Sequence, residues 1–459
     1  MSEAVENHPP VSPEEATSFP PGLNNAYWFS TFNAFSFQIV LSSPMVLYAK
    51  TLGASATILG IIAGMMPLLV IFQIPAASHI PRLGFRRFVY AGWGTRVMFI
   101  FAMSAVPLTG FFLSSGNQLA LMIMLLFCFN LSRGISSCAW LPWITALVPA
   151  VLRGRYLARD AAVQNLASFF TFLVAAGCLV GHPAPWQFAV LFTFSAVTGA
   201  ISLSFLKRIP DVPIPEDLRT SKGPVPWMAM FRFQPFQKLL RTVVAWSIAY
   251  GGITAFIVAF LRAEAGMSEG RILLISSFAY LGGLSSLWFL GSGLDRLGSK
   301  PILTFCFAAW AVVVAGWICL AGKLLPVSLT LVLGLQFMVG LLTALVQMSN
   351  TRLAMEVVPK MGRNHFFAIY SVLNNVTLGL APIAWGLLID AVGERAPQFL
   401  GLVWNRFTVF FAGAFLAYLV TLVLSRRLEE PKAVSMETLL REILIESPQR
   451  IVLRFWPRG

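Results

Sequence analysis

Charge is scarce in this chain. Asp, Glu, Lys and Arg together make up 11% of its 459 residues, while 57% are hydrophobic, against roughly 25% charged in an ordinary soluble domain. That balance excludes a water-soluble globule and leaves an integral membrane protein. Cysteine offers nothing to a redox or metal reading: Cys128, Cys138, Cys178, Cys306 and Cys319 fall inside apolar segments with no CxxC or Cys/His spacing, so buried, inert thiols are expected. His8, His79, His182 and His365 lie at tails or loops. There is no Walker loop, no HExxH and no Ser/His/Asp set, so neither an enzyme nor a cofactor or metal is expected. No cleavable leader is expected either. Met1 to Pro20 carries Glu3, Glu6, Glu14 and Glu15 and no Lys or Arg, which reads as a disordered tail.

What the chain does have is long apolar runs. Charge-poor stretches place spans at 26–49, 54–78, 88–110, 117–147, 158–181 and 186–206, then at 240–261, 271–292, 301–321, 326–351, 365–390 and 405–425. Each is too long for a strand, and only helices or closed barrels satisfy the backbone in lipid. The predicted organisation is a disordered tail (1–24), a six-helix bundle (25–206), a Pro-rich charged linker (207–238), a second six-helix bundle (239–427) and a tail (428–459). In that last tail Met436, Leu439, Leu440, Ile443 and Leu444 line one helical face, either to lie on the inner leaflet or to pack against the protein.

Lys and Arg set the orientation. With both termini inside, 25 of the 33 fall on the cytoplasmic side, 6 outside and 2 within spans, so a multi-pass protein of a bacterial inner membrane or a plasma membrane with cytoplasmic termini is expected. The pI near 10.0 then reflects loops facing anionic lipid and implies no nucleic-acid partner. A monomer is expected.

The two halves repeat. Leu-Val-Pro-Ala-Val-Leu-Arg-Gly-Arg-Tyr at 147–156 and Val-Val-Pro-Lys-Met-Gly-Arg-Asn-His-Phe at 357–366 align Pro149 with Pro359 and Arg153 with Arg363, an offset of 210. A second pair is Ala77 to Arg87 and Gly291 to Pro301, which aligns Gly84 with Gly298 at an offset of 214. Two motifs at nearly one offset indicate duplicated six-helix halves.

These residues resemble the major facilitator superfamily. Its loop between helices 2 and 3, repeated between 8 and 9, reads Gly-x-x-x-Asp-Arg-x-Gly-x-Arg/Lys. The later copy matches with Gly291, Asp295, Arg296, Gly298 and Lys300; the earlier one keeps Arg82, Gly84 and Arg86 but has Pro81 for the aspartate and Ala77 for the first glycine. Trp140 to Pro149 followed by Arg153-Gly154-Arg155-Tyr156 looks like the helix 4 to helix 5 junction of bacterial members. The resemblance implies an all-α protein of twelve spans in two pseudo-symmetric bundles that moves a small solute by alternating access. It also implies a cavity lined by helices 1, 4, 7 and 10. In that setting the Asp295 loop is expected to latch one conformation, more strongly than its weakened partner.

Two ionisable groups sit at membrane depth, where charge is costly and most often functional. Arg96 lies about 15 Å along the third span from Arg86, and Arg133 about 24 Å before Pro149 along the fourth, at 1.5 Å per residue. Neither has an acid at helical spacing. No Asp or Glu is expected at mid-span; Asp160, Glu356 and Asp390 are placed near ends. The arginines suit an anionic or otherwise polar substrate, or else bond amides such as Asn130 and Gln73 or snorkel to water. Amides make the second set of candidates: Asn33 and Gln38, then Gln164 and Asn165 over Asn374 and Asn375, with Gln336 and Tyr250. Cavity lining and interhelical glue both explain them. Trp140 is a candidate for stacking on a ring of the substrate. The expected partners are thus a small-molecule substrate and membrane lipid. A lipid or drug exporter, or a transport-inactive receptor on the same scaffold, is the alternative reading.

Overall fold

A computed structural model describes residues 19–149, 152–181, 183–212, 232–290, 298–357 and 363–430. The N-terminal tail, most of the linker, Gly291, Asp295, Arg296 and the amphipathic stretch 436–444 lie outside them. Twelve helices in the described residues are long and apolar enough to cross a membrane. The first half holds α1 (Asn24–Thr51), α2 (Ala56–Ala77), α3 (Phe85–Phe111), α4 (Ser115–Leu147), α5 (Arg153–Cys178) and α6 (Pro185–Leu206). The second holds α7 (Gln234–Ala263), α8 (Glu269–Leu290), α9 (Ser299–Ala321), α10 (Leu329–Val357), α11 (Arg363–Val392) and α12 (Arg406–Arg426). A hairpin of two-residue strands, β1 (Gln398–Phe399) and β2 (Leu402–Val403), bridges α11 and α12.

Three helices extend more than one turn beyond the expected charge-poor windows. α5 starts at Arg153 and α7 at Gln234, while α10 runs to Val357. Each extension is amphipathic. Phe236 and Leu239 are buried while Lys238 pairs outside with Glu429, and Leu353 and Ala354 are buried beside an Arg352–Glu356 pair one turn apart. Hydropathy sees the charged face and misses the buried one.

Packing makes the duplication physical. In the first half α1 packs on α5 and α6, α3 on α4 and α6, and α2 on α4; in the second α7 packs on α11 and α12, α9 on α10 and α12, and α8 on α10. Each contact recurs six helices later. The two seams between the halves obey the same exchange, α2 against α11 and α5 against α8. Lipid tails are as apolar as leucine, so close van der Waals approach must hold such seams. A Cβ on Gly60 would lie 2.2 Å from the Pro382 carbonyl oxygen, and one on Gly64 2.2 Å from that of Gly379. Glycine at these two positions lets the helices approach that closely.

α1 and α7 are both broken. Pro44 has no N–H for the Val40 carbonyl and its ring crowds it, so α1 yields at Ser42, whose backbone is extended (φ −138°, ψ −150°). α7 yields at Gly251-Gly252, with Gly252 left-handed at φ 82°. Ser42 and Gly252 are 210 residues apart, the offset of the sequence repeat. Beyond the breaks, on the side away from the termini, the outer segments Ser43–Thr51 and Ile253–Ala263 pack together. On that far side Asp390 at the end of α11 accepts from the Ala56 and Thr57 N–H groups (3.0 and 2.8 Å) and the Thr57 hydroxyl (2.6 Å) at the start of α2. The bundles are thus closed on the far side. Toward the termini, grooves of about 250 Å³ between α2 and α11 and about 310 Å³ among α1, α5 and α8 separate them.

Candidate functional site

Where the two breaks face each other lies a cavity of about 260 Å³, lined among others by Ser42, Ser43, Tyr250, Ser276, Tyr280 and Gln336. Among the described residues no charged one lines it. Ser43 Oγ donates to Ser276 Oγ across the bundles (3.1 Å), and Tyr280 OH donates to Gln38 Oε1 (2.8 Å), whose own amide donates to Ser168 Oγ (2.9 Å). Ser42 Oγ donates to the Gln38 carbonyl at 2.5 Å, using a group that the break frees. Gln336 is 4% exposed, and its Oε1 has no hydrogen-bond partner. Tyr250 stacks on Trp246 with centroids 5.0 Å apart. The wall therefore offers hydroxyls, an amide oxygen and aromatic faces to a small ligand.

The arginines lie among α1, α3 and α4, within electrostatic reach of each other. Arg96 is 4% exposed; its guanidinium sits 3.7 Å above the Trp93 ring and 5.9 Å from the Phe129 centroid, with Nη2 unpartnered. Arg133 is half-buried and has neither a hydrogen bond nor an ion pair among the described residues. Neither amide expected to compensate them bonds an arginine: Gln73 donates to Ser137 Oγ (2.6 Å), and Asn130 donates to the Leu126 carbonyl (2.9 Å) while its Oδ1 has no partner among the described residues. Asn33 accepts from Trp93 Nε1 (3.2 Å), which fixes the ring under Arg96.

Other candidates fare differently. Trp140 packs among Phe29 (4.9 Å), Trp143 (6.1 Å) and Trp93 (6.2 Å), so its ring is taken up by an aromatic cluster and the expected substrate stack lacks support. Asn165 and Asn375 do match, each donating to a carbonyl one turn back, Ala161 and Ser371. Gln164 and Asn374 do not. Gln164 donates to Asp160 Oδ2 (2.7 Å), whereas Asn374 accepts from Ser247 (3.0 Å).

Asp160, expected near a span end, lies two turns from the start of α5 at Arg153, in the first third of the helix, 8% exposed, with Oδ1 unpartnered among the described residues and the side chain lining the groove among α1, α5 and α8. Its signal in the sequence is the one-turn spacing Tyr156, Asp160, Gln164 and Ser168, a polar stripe on one face. Tyr280 gave no such signal, since only the approach of α8 to α1 makes it polar lining.

At the loops, Gly84 and Gly298 have the same backbone, φ 79° and 84°, each starting the third helix of its half. Arg86 finds an acid in Asp211 after α6, 3.6 Å away, and Glu430 after α12 accepts from the Ser299 and Lys300 N–H groups (2.8 and 2.6 Å). Arg82, on the single turn Ile80–Leu83, has no ion pair among the described residues.

Comparison with known proteins agrees with this architecture. The family model described as Major Facilitator Superfamily matches residues 26–323 and 253–455. A variant of the nucleoside transporter NupG is 11% identical (TM-score 0.69; 89% of this chain, 100% of that one). The inward open conformation of the xylose transporter XylE from E. coli is 13% identical (0.67; 90% and 98%). A POT family transporter in complex with a thioalcohol-conjugated peptide is 14% identical (0.66; 90% and 97%). Among curated proteins no match was found. With twelve spans in two exchange-related bundles, a midplane cavity between broken helices and a family match across both halves, the chain belongs to the Major Facilitator Superfamily, as a transporter of small solutes and not an enzyme.

Proposed function

We propose that this transporter carries a small solute bearing an anionic group, with Arg133 as its anchor and Arg96 as a fixed second charge. The observation that carries this reading is two membrane-embedded guanidiniums near each other with no acid on either among the described residues. Burying one such charge costs about 2.5–3.5 kcal/mol on the mildest insertion scale, and an anion recognised through two planar hydrogen bonds offsets that cost. Since 25 of the 33 basic residues fall on the side of the termini, we place that side in the cytoplasm. The conformation is then the inward-open one. Asp295 and Arg296, outside the described residues, are assigned with Gly298, Lys300, Arg82, Gly84 and Arg86 to the loops that latch the opposite state.

A second reading, a neutral hydroxyl-rich solute, is favoured by the uncharged midplane cavity and the unpartnered Gln336 oxygen. Thermal stabilisation by a ligand panel separates the two, because a ligand stabilises the folded state in proportion to its affinity and concentration. For an anionic hit, Arg133→Lys should weaken binding and Arg133→Gln nearly abolish it, with Gln336→Ala milder. Unaltered affinity in Arg133→Gln, on monodisperse protein, ends the anchor role.

A further inference from the structure

Between α3 and α4 of the first bundle lies a groove of about 580 Å³, larger than the midplane cavity of about 260 Å³. All of its lining comes from residues 83–136. The main packing of α3 is on α4 and α6, within its own bundle, so the groove lies away from the seams between the bundles and faces lipid. The two helices cross closely at its floor, where a Cβ on Gly92 would lie 2.1 Å from Ser136 Cβ.

The hydroxyls on that floor are spent on the helices themselves. Ser132 Oγ donates to the Gly92 carbonyl (3.1 Å), Thr95 Oγ to that of Ala91 (2.9 Å) and Ser136 Oγ to that of Ser132 (2.8 Å). What remains toward the membrane is carbon, which suits an acyl chain and leaves a polar solute unsatisfied. Charge enters at one end only. Arg87, in the first turn of α3 on the termini side, lines the groove, is exposed, and has neither a hydrogen bond nor an ion pair among the described residues. Its neighbour Arg86 is held by Asp211, and no acid lines the groove among the described residues. From Arg87 to Phe99 the groove runs about 18 Å along α3 at 1.5 Å per residue, close to one leaflet of a hydrocarbon core about 30 Å thick.

We propose that this groove holds one anionic phospholipid of the termini-side leaflet, with its phosphate on the Arg87 guanidinium and one acyl chain lying along α3 toward Phe99. A guanidinium meets a phosphate through two planar N–H donors, and anionic lipid is drawn to basic groups at the membrane surface. Gly92 is followed by Trp93, whose ring carries Arg96, and Ser132 by Arg133. The lipid therefore backs the helix pair that holds both buried arginines. The site rests on the packing of α3 against α4 and not on the solute's charge.

The probe is phosphatidylglycerol with a photoactivatable diazirine on one acyl chain, added to the full-length protein in phosphatidylcholine nanodiscs. Crosslinks mapped by mass spectrometry should concentrate at 87–99 and 128–136. Unlabelled phosphatidylglycerol should displace them and inorganic phosphate should not. Arg87→Gln should lower groove labelling several-fold and Arg87→Lys should keep most of it, with labelling falling as salt rises. Ala91→Trp, which fills the groove from an exposed position, should remove the groove crosslinks and leave those elsewhere on the surface. Even labelling over the whole lipid-facing surface, equal labelling by a phosphatidylcholine probe, or unchanged labelling in folded Arg87→Gln or Ala91→Trp overturns the proposal. So does a dimer, seen by light scattering, in which a second copy of the chain protects the groove. Equal melting temperatures of the variants in phosphatidylcholine exclude a folding artefact.

Discussion

Arg96 illustrates how a single buried charge is held when no acid is near: one face rests on Trp93, the ring is fixed by Asn33, and Nη2 is left open. Asp390 does the opposite work on the far side, where one carboxylate gathers three donors from the start of the other bundle's α2. An anion at a helix N-terminus meets both free N–H groups and the helix dipole. The site is exposed, so water competes and the net worth is about 1 kcal/mol, roughly a fivefold shift in a two-state balance. Asp390→Asn should therefore open the far side. A cysteine at Val46, buried between the outer segments, should react several-fold faster with a small thiol reagent in that variant; an unchanged rate removes Asp390 from the closure.

At the scale of elements, glycines do different jobs in different seams. Gly60 and Gly64 of α2 touch the α11 backbone across the bundles, while Gly340 lies within one bundle, where a Cβ would sit 1.7 Å from the Ala279 carbonyl oxygen. A side chain at the first pair blocks one conformation; at Gly340 it strains every conformation. Gly60→Val and Gly64→Val should raise Val46→Cys labelling with little loss of melting temperature. Gly340→Val should lower the melting temperature, since overpacking costs about 1–3 kcal/mol or more. Equal destabilisation by all three would show that the inter-bundle seam is permanent packing and does not open.

For the whole molecule, the exchange-related seams give two bundles that can rock about one midplane cavity. Orientation is the remaining quantity, and it rests on charge. On the far side two of the six basic residues are paired with acids, Arg262 with Glu269 (2.6 Å) and Arg406 with Glu264 (3.1 Å). A cysteine placed in the linker 207–238 of a cysteine-free protein should resist an impermeant thiol reagent in intact cells and react after lysis; labelling in intact cells inverts the topology.

Membrane class, span number and duplication follow from the sequence alone, because lipid demands about 20 apolar residues per helix and the repeat survives as spacing. The same logic finds Arg96 and Arg133, since a lone charge in an apolar run stands out without any knowledge of its neighbours. Tyr280, Ser42 and Asp390 stand out only in three dimensions, and Asp160 leaves no more than a polar stripe at one-turn spacing. Asp160 hides behind the charged first turns of α5, and Tyr280 is one aromatic among many until α8 meets α1. Ser42 matters because Pro44 breaks the helix opposite a second break 210 residues away. Asp390 looks like a helix end until it caps another bundle. Hydropathy and spacing are properties of one segment, whereas a polar contact between bundles is decided by how two segments pack.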